Sequence, residues 1–162
     1  MSVVAVHLSA ELADERTKRF DELYRNEYPS MVRLAYAMIS DGSEAEDLVQ
    51  DSFVEVYRRL DDIDRPGAYL HTSVVNRCRS ALQRRRMIAE HAPEPPDGLS
   101  VDADDFWDVL HKLSDEQRIA VVLKYYGDFR ASEIGRILRE PASTVRSHIR
   151  RGLATLRKEL EP

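Results

Sequence analysis

The chain has 162 residues, with 24 Lys and Arg against 29 Asp and Glu, a formal net charge of −5 and 43% hydrophobic residues. That length holds one domain or two small ones, and the apolar fraction is enough for packed cores, which excludes disorder throughout. A single cysteine, Cys78, rules out an internal disulfide; no apolar run approaches the ~20 residues that cross a bilayer, and the start MSVVAVHLSAELADE lacks a signal peptide's basic segment, so a cytoplasmic protein is expected.

In chain order, residues 1–15 read as an N-terminal tail. Phe20, Leu23, Tyr24 and Tyr28 then form an apolar helical stripe, and Pro29 is expected to start or kink a second stretch carrying Val32, Ala35, Tyr36 and Ile39. Asp41-Gly42 ends it. Ser43 with Glu46 fits a capping box for a helix whose Ala45, Leu48, Val49, Phe53, Val56, Tyr57 and Leu60 recur at helical spacing. After the turn DDIDRPG, Pro66 suits a first helical turn, and Leu70, Val74, Cys78 and Leu82 follow at steps of four to bury one side. Asn76, Arg77, Ser80 and Arg84 fall on other faces of that helix.

Residues 90–104 hold Pro93, Pro95, Pro96, Gly98 and several acids with no Lys or Arg. Such a segment is expected to be a semi-extended, poorly ordered linker. Beyond it, Phe106, Trp107, Leu110 and Leu113 read as a short helix, and Ser114 with Gln117 as the cap of another running to Tyr126. Gly127-Asp128 breaks that helix. Ile134, Ile137 and Leu138 mark a short helix, Glu140-Pro141-Ala142 a turn, and Ser143 an N-cap for a last helix bearing Val145, Ile149, Leu153 and Leu156. The short helix, tight turn and basic second helix make a helix-turn-helix. The expected fold is therefore all-α: two small helical domains, residues 16–89 and 105–162, joined by the flexible acidic linker.

Charge is distributed unevenly along this acidic chain. Arg65 to Ala89 carries six arginines and no acid, and Ser143 to Lys158 carries four arginines and a lysine, again with no acid. Two separate cationic surfaces, one on a recognition helix, point to nucleic acid as the partner. The net negative charge implies weak DNA binding alone and a partner that supplies part of the hold. An arginine run at a helix end is by itself more often solvated surface, the aromatic stripes read as core, and Cys78 reads as a packed small side chain. His7, His71, His91, His111 and His148 show no paired ligand spacing, and no Gly-rich phosphate loop or nucleophile elbow is present, so neither an enzyme nor a cofactor or metal is expected.

On these residues the chain resembles the bacterial RNA polymerase sigma factors of the extracytoplasmic-function (ECF) type. The motif Ala45-Glu46-Asp47-Leu48-Val49-Gln50-Asp51-Ser52-Phe53 matches the family's N-terminal domain, region 2, as do Pro66, Tyr69, Leu70, Asn76 and Arg84-Arg85 in the next helix. LSDEQRIAVVLKYYGDF, SEIGRIL and STVRSHIRRGLATLRKEL match its C-terminal helix-turn-helix domain, region 4. The resemblance spans about Phe20 to Leu160. It implies a promoter-specificity subunit that binds core RNA polymerase, through the β′ clamp helices and the β flap, and promoter DNA. Asp47, Gln50 and Asp51 stand at the clamp-docking positions. Asn76, Arg77, Ser80, Arg84, Arg85 and Arg86 stand at positions that serve the −10 element, and residues 61–68 match the segment that captures a flipped base, which offsets part of the cost of unstacking. Arg146, Ser147, Arg150 and Arg151 would face the −35 major groove. Family members are often held inactive by an anti-sigma protein wedged between the domains; the residues here name none.

Three positions depart from the family pattern. Ser80 replaces a common aspartate, Arg130 replaces a Ser or Thr helix cap, and Arg139 replaces a turn glycine. The chain's end at Pro162 is expected to leave no built-in C-terminal inhibitor. The rival reading is a stand-alone helix-turn-helix regulator whose N-terminal half dimerises or binds a regulatory protein; a purely helical interaction protein would leave both basic stretches unexplained.

Overall fold

The computed structural model describes residues 3–89 and 105–161, with side chains over 6–88 and 108–161. The expected linker lies outside the described residues. Every regular element is helical: α1 (Val3–Ile39), α2 (Gly42–Arg58), a short 3-10 turn (Leu60–Asp62), α3 (Pro66–Ala89), α4 (Asp105–His111), α5 (Asp115–Tyr125), α6 (Ala131–Leu138) and α7 (Ala142–Leu160).

The second half of α1 packs with α2 and α3 as a three-helix bundle. Met31, Leu34, Ala35 and Met38 meet Ala45, Val49, Phe53 and Val56 of α2 and Leu70, Val74, Val75 and Cys78 of α3, all at 2% exposure or less. The step-of-four stripe on α3 is buried as its spacing predicts. Pro29 neither starts nor ends a helix, because α1 continues through it. A mid-helix proline costs roughly 3 kcal/mol, and the apolar residues packed on both sides offset that cost. Residues 3–15, read as a tail, are the first turns of the same helix, in a stretch rich in good helix formers.

Two N-caps fall two residues before their expected positions. Asp41, rather than Ser43, caps α2: its carboxylate accepts from the Glu44 backbone N–H at 2.9 Å. Ser40 precedes it with a left-handed φ of 62°, so the chain reverses before Ser43 is reached. Pro141, rather than Ser143, is the N-cap of α7, and its carbonyl accepts from Thr144 and Val145. Ser114 caps α5 as its sequence context predicts, accepting from Gln117.

The second bundle, α4–α7, buries Leu110, Leu113, Ile119, Val122, Leu123, Ile134, Leu138, Val145, Ile149 and Leu156. The helix-turn-helix is α6 and α7. Arg130 precedes α6 and its backbone N–H donates to the Glu133 carboxylate at 2.7 Å, which satisfies that amide without a Ser or Thr side chain. Arg139 occupies the left-handed region, with φ 57° and ψ 41°, where the family's glycine would sit without penalty. Gly135 is sterically required: a Cβ there would lie 2.5 Å from the Glu140 carbonyl oxygen, so only glycine lets the turn fold back on α6. The two bundles also touch, α1 against α5 and α3 against α6, and their buried residues form one continuous cluster.

Candidate polymerase and nucleic-acid surfaces

On α2, Asp47, Gln50 and Asp51 are exposed at i, i+3 and i+4, and Val54 extends the same face at 47% exposure. An acidic strip with an apolar neighbour suits a basic partner groove. Asp51 also borders an open groove between α2 and α3, of about 520 Å³, lined by Leu48, Glu55, Tyr69, Thr72, Ser73, Asn76, Arg77, Ser80 and Arg84. Four of the six residues expected at the −10 element therefore share one wall beside that acidic strip.

Glu55 organises that wall, and the sequence reading missed it. Its carboxylate accepts from the Tyr69 hydroxyl at 2.5 Å, from Ser73 at 3.2 Å and from Arg77 at 2.9 Å; Arg59 in turn donates to the Tyr69 oxygen at 2.7 Å. The hydrogen bond from Tyr69, helped by Arg77 and Ser73, holds the Glu55 carboxyl below its usual range against the opposing effect of burial. The same bond pushes the Tyr69 hydroxyl up. Arg77 is thereby fixed beside Asn76, its guanidinium oriented by a carboxylate. No spacing rule connects Glu55 with residues 14, 18 and 22 positions later; only the packing of α2 on α3 brings them together.

Arg85 and Arg86 point elsewhere. Successive helical residues turn by about 100°, so three consecutive arginines meet three different neighbours. Arg84 faces the groove. Arg85 donates to the Ile39 carbonyl at 2.5 Å and pairs with Glu44, tying the end of α1 to the start of α2. Arg86 reaches the other bundle, with Nε 2.9 Å from Asp115 and Nη2 2.7 Å from Glu116. Residues 61–68 run from the 3-10 turn into α3, with Asp61, Asp62, Asp64 and Arg65 exposed and Ile63 half-buried.

On α7, Arg146 and Arg150 are exposed and line a second groove with Lys124, Ala131, Ile149, Leu153, Ala154 and Arg157. Arg151 is exposed on the adjacent strip, and Ser147 beside it donates to the Ser143 carbonyl at 3.2 Å. The structure thus keeps all four expected α7 residues on neighbouring strips and adds Lys124 from α5 and Arg157 one stripe further along. Arg157, eleven residues after Arg146, was findable from helical periodicity; Lys124 was not. Among the described residues, no three His, Cys, Asp or Glu side chains gather as a metal site, and no helix is long and apolar enough to cross a membrane.

The chain matches the family descriptions Sigma-70 region 2 over residues 23–87 and Sigma-70, region 4 over residues 103–156. It is 33% identical to the RNA polymerase sigma-E factor of Streptomyces avermitilis over 93% of this chain and 89% of that one. It is 29% identical to the ECF RNA polymerase sigma factor SigW of Bacillus subtilis, over 79% and 81% of the two chains. Among solved structures it resembles the sigma factor RpoE of Bartonella quintana, determined in complex with the anti-sigma factor NepR, at TM-score 0.70 and 25% identity over 88% of this chain and 97% of that one. Two helical bundles in this order, an acidic strip beside a basic groove on the first and a basic helix-turn-helix on the second, together with these matches, place the chain in the ECF group of RNA polymerase sigma factors.

Proposed function

We propose that this protein works in the cytoplasm, docking on the β′ clamp helices of core RNA polymerase through Asp47, Gln50 and Asp51, with its second bundle resting on the β flap. It contacts the −10 element through Asn76, Arg77, Ser80 and Arg84 and the −35 element through Arg146, Ser147, Arg150 and Arg151. As a sigma factor it directs promoter-specific initiation and is not itself an enzyme; RNA synthesis belongs to the polymerase. The observation that carries the residue assignment is the α2–α3 groove. The groove brings the Asn76 amide, the Glu55-bound Arg77 and the exposed Arg84 next to Asp51, which supports protein and DNA contacts made side by side. Asn76 has both donor and acceptor for a base edge, and the arginines neutralise phosphates. Residues 61–68, at the mouth of the same bundle, take the base extruded as the duplex opens. An anti-sigma protein is a further expected partner, since the RpoE neighbour was solved with one.

A gel shift on promoter DNA with and without core enzyme, followed by run-off transcription, tests this reading. The protein is expected to bind specifically, and to give a discrete transcript, only with core. Tight specific binding by the free chain would favour the stand-alone regulator instead.

A further inference from the structure

The segment that leads from α2 into α3, residues 61–68, is built on a support from α1. Helix α2 ends at Arg58, and Leu60 behind it is buried. The chain then carries Asp61, Asp62, Asp64 and Arg65 through solvent before Pro66 opens α3. Arg16, half-buried on α1, meets the start of this segment in three ways. Its Nη2 donates to the Tyr57 carbonyl at 2.5 Å, its Nε lies 3.3 Å from the Asp61 carboxylate, and its guanidinium sits over the Tyr57 ring at 4.8 Å. The Tyr57 carbonyl belongs to the last turn of α2, where carbonyls lack an intrahelical donor and the helix dipole favours a cation. One arginine therefore caps α2 and holds the first acid of the segment.

Neighbouring contacts keep both ends of the segment in place. Phe20, one turn further along α1, meets the same Tyr57 ring edge-on at 5.0 Å. Lys18 pairs with Asp14 at 2.8 Å across one turn of the helix that carries Arg16. At the far end α1 serves again: a Cβ on Gly67 would lie 4.0 Å from Leu23, so the first turn of α3 rests on the same helix. From the other side, Arg59 lies over the Tyr69 ring at 5.2 Å and donates to its hydroxyl at 2.7 Å. Residues 61–68 carry three carboxylates and one cation, Arg65. Three acids within four residues repel one another and an approaching phosphate backbone. Arg16 supplies a counter-charge from outside the segment, and its planar fork, unlike an ammonium, takes a carbonyl, a carboxylate and a ring face together.

We propose that Arg16 is a positioning residue for promoter opening: it holds residues 61–68 in the shape that receives the base extruded from the −10 element. The proposal rests on the base-capture reading given above and gives the N-terminal part of α1 a role in it. Arg16 acts through the segment and touches no DNA itself. With the segment ordered before DNA arrives, contacts to the extruded base count in full against the cost of unstacking it. Loss of Arg16 loosens the entry to the segment and restores the repulsion among its acids, while polymerase docking stays as it was.

Abasic templates test this. Holoenzymes carrying the wild-type chain or Arg16→Ala are compared on a promoter and on copies in which each −10 base in turn is replaced by an abasic site, with opening read by permanganate reactivity of unpaired thymines. For the wild type, removing the captured base should lower opening; no loss at any position overturns the base-capture reading itself. Where that loss is seen, Arg16→Ala should open the intact promoter about three- to tenfold less, the size of one or two partly screened charged hydrogen bonds. On the copy lacking the captured base it should match the wild type. Opening equal to the wild type on the intact promoter overturns the proposal. So does the same deficit on both templates, because a merely structural loss does not depend on the base. A pull-down should show equal core binding, and weaker binding would place the defect in docking and overturn the proposal too. Should Arg16→Ala not fold, Arg16→Lys makes the same comparison: it keeps the charge but loses the fork, so a deficit of about two- to threefold is expected on the intact promoter alone, with the same refuting outcomes.

Discussion

Replacing Gly135 by alanine tests the geometry of the helix-turn-helix most directly. In an ordinary helix interior the change stabilises by roughly 0.5–1 kcal/mol. Here the added Cβ would stand 2.5 Å from the Glu140 carbonyl oxygen and 3.5 Å from the Ala142 amide nitrogen, and both Cβ and oxygen are fixed to backbone. Relief requires the turn to rotate about Arg139, which already sits in the left-handed region, and would break the 2.9 Å bond from the Glu140 N–H to the Gly135 carbonyl. Overpacking of this kind costs about 1–3 kcal/mol and the lost bond roughly 1 kcal/mol more. After the propensity gain, a net loss of about 1–3 kcal/mol remains. For a chain of this length that lowers Tm by about 2–12 °C, from a shift of 2–4 °C per kcal/mol. Thermal unfolding followed by circular dichroism reads the shift, with Gly42→Ala as control because its Cβ would meet nothing within 4 Å. If Gly135→Ala were as stable as the control, the close return of the turn onto α6 would be wrong, and with it the placement of α7.

Three further outcomes are expected. Glu55→Gln should lower stability at neutral pH by about 1 kcal/mol, a value discounted for partial exposure. Because the Glu55 carboxyl is held below its unfolded value, its contribution is present above that value and lost as pH falls through the folded one; denaturant midpoints of the two proteins should therefore converge on acidification, and a constant gap would refute the assignment. Asp51→Lys should weaken core binding by about tenfold or more in a pull-down while leaving the circular dichroism melt unchanged, since the residue is exposed; equal affinity would remove α2 from the docking surface. Arg150→Ala should cost about 1–3 kcal/mol of promoter affinity in the polymerase complex and relax preference at one base position; a uniform loss on all sequences would reassign it to a phosphate.

The elements were legible in the sequence because each buries one stripe. The steps of four from Leu70 to Leu82 and the apolar positions of α2 and α7 required nothing beyond periodicity, and the acid-free stretches marked both cationic surfaces. Local reading failed where several signals competed. Ser43 and Ser143 are good caps by type, but Asp41 and Pro141 stand where the backbone actually turns, and Pro29 was carried inside α1 by packing on either side.

What the chain alone determined is composition and period: all-helical, two halves, two basic faces and the family motif between Ala45 and Phe53. Only the tertiary structure decided which cations are free. Arg84, Arg85 and Arg86 are equivalent as letters, yet one faces a groove, one ties α1 to α2, and one crosses to α5, because a helix turns each successive side chain toward a different neighbour and those neighbours are supplied by distant sequence. The same reason hid Glu55, Arg118 and Lys124, whose roles depend on partners that folding alone brings within a few ångströms.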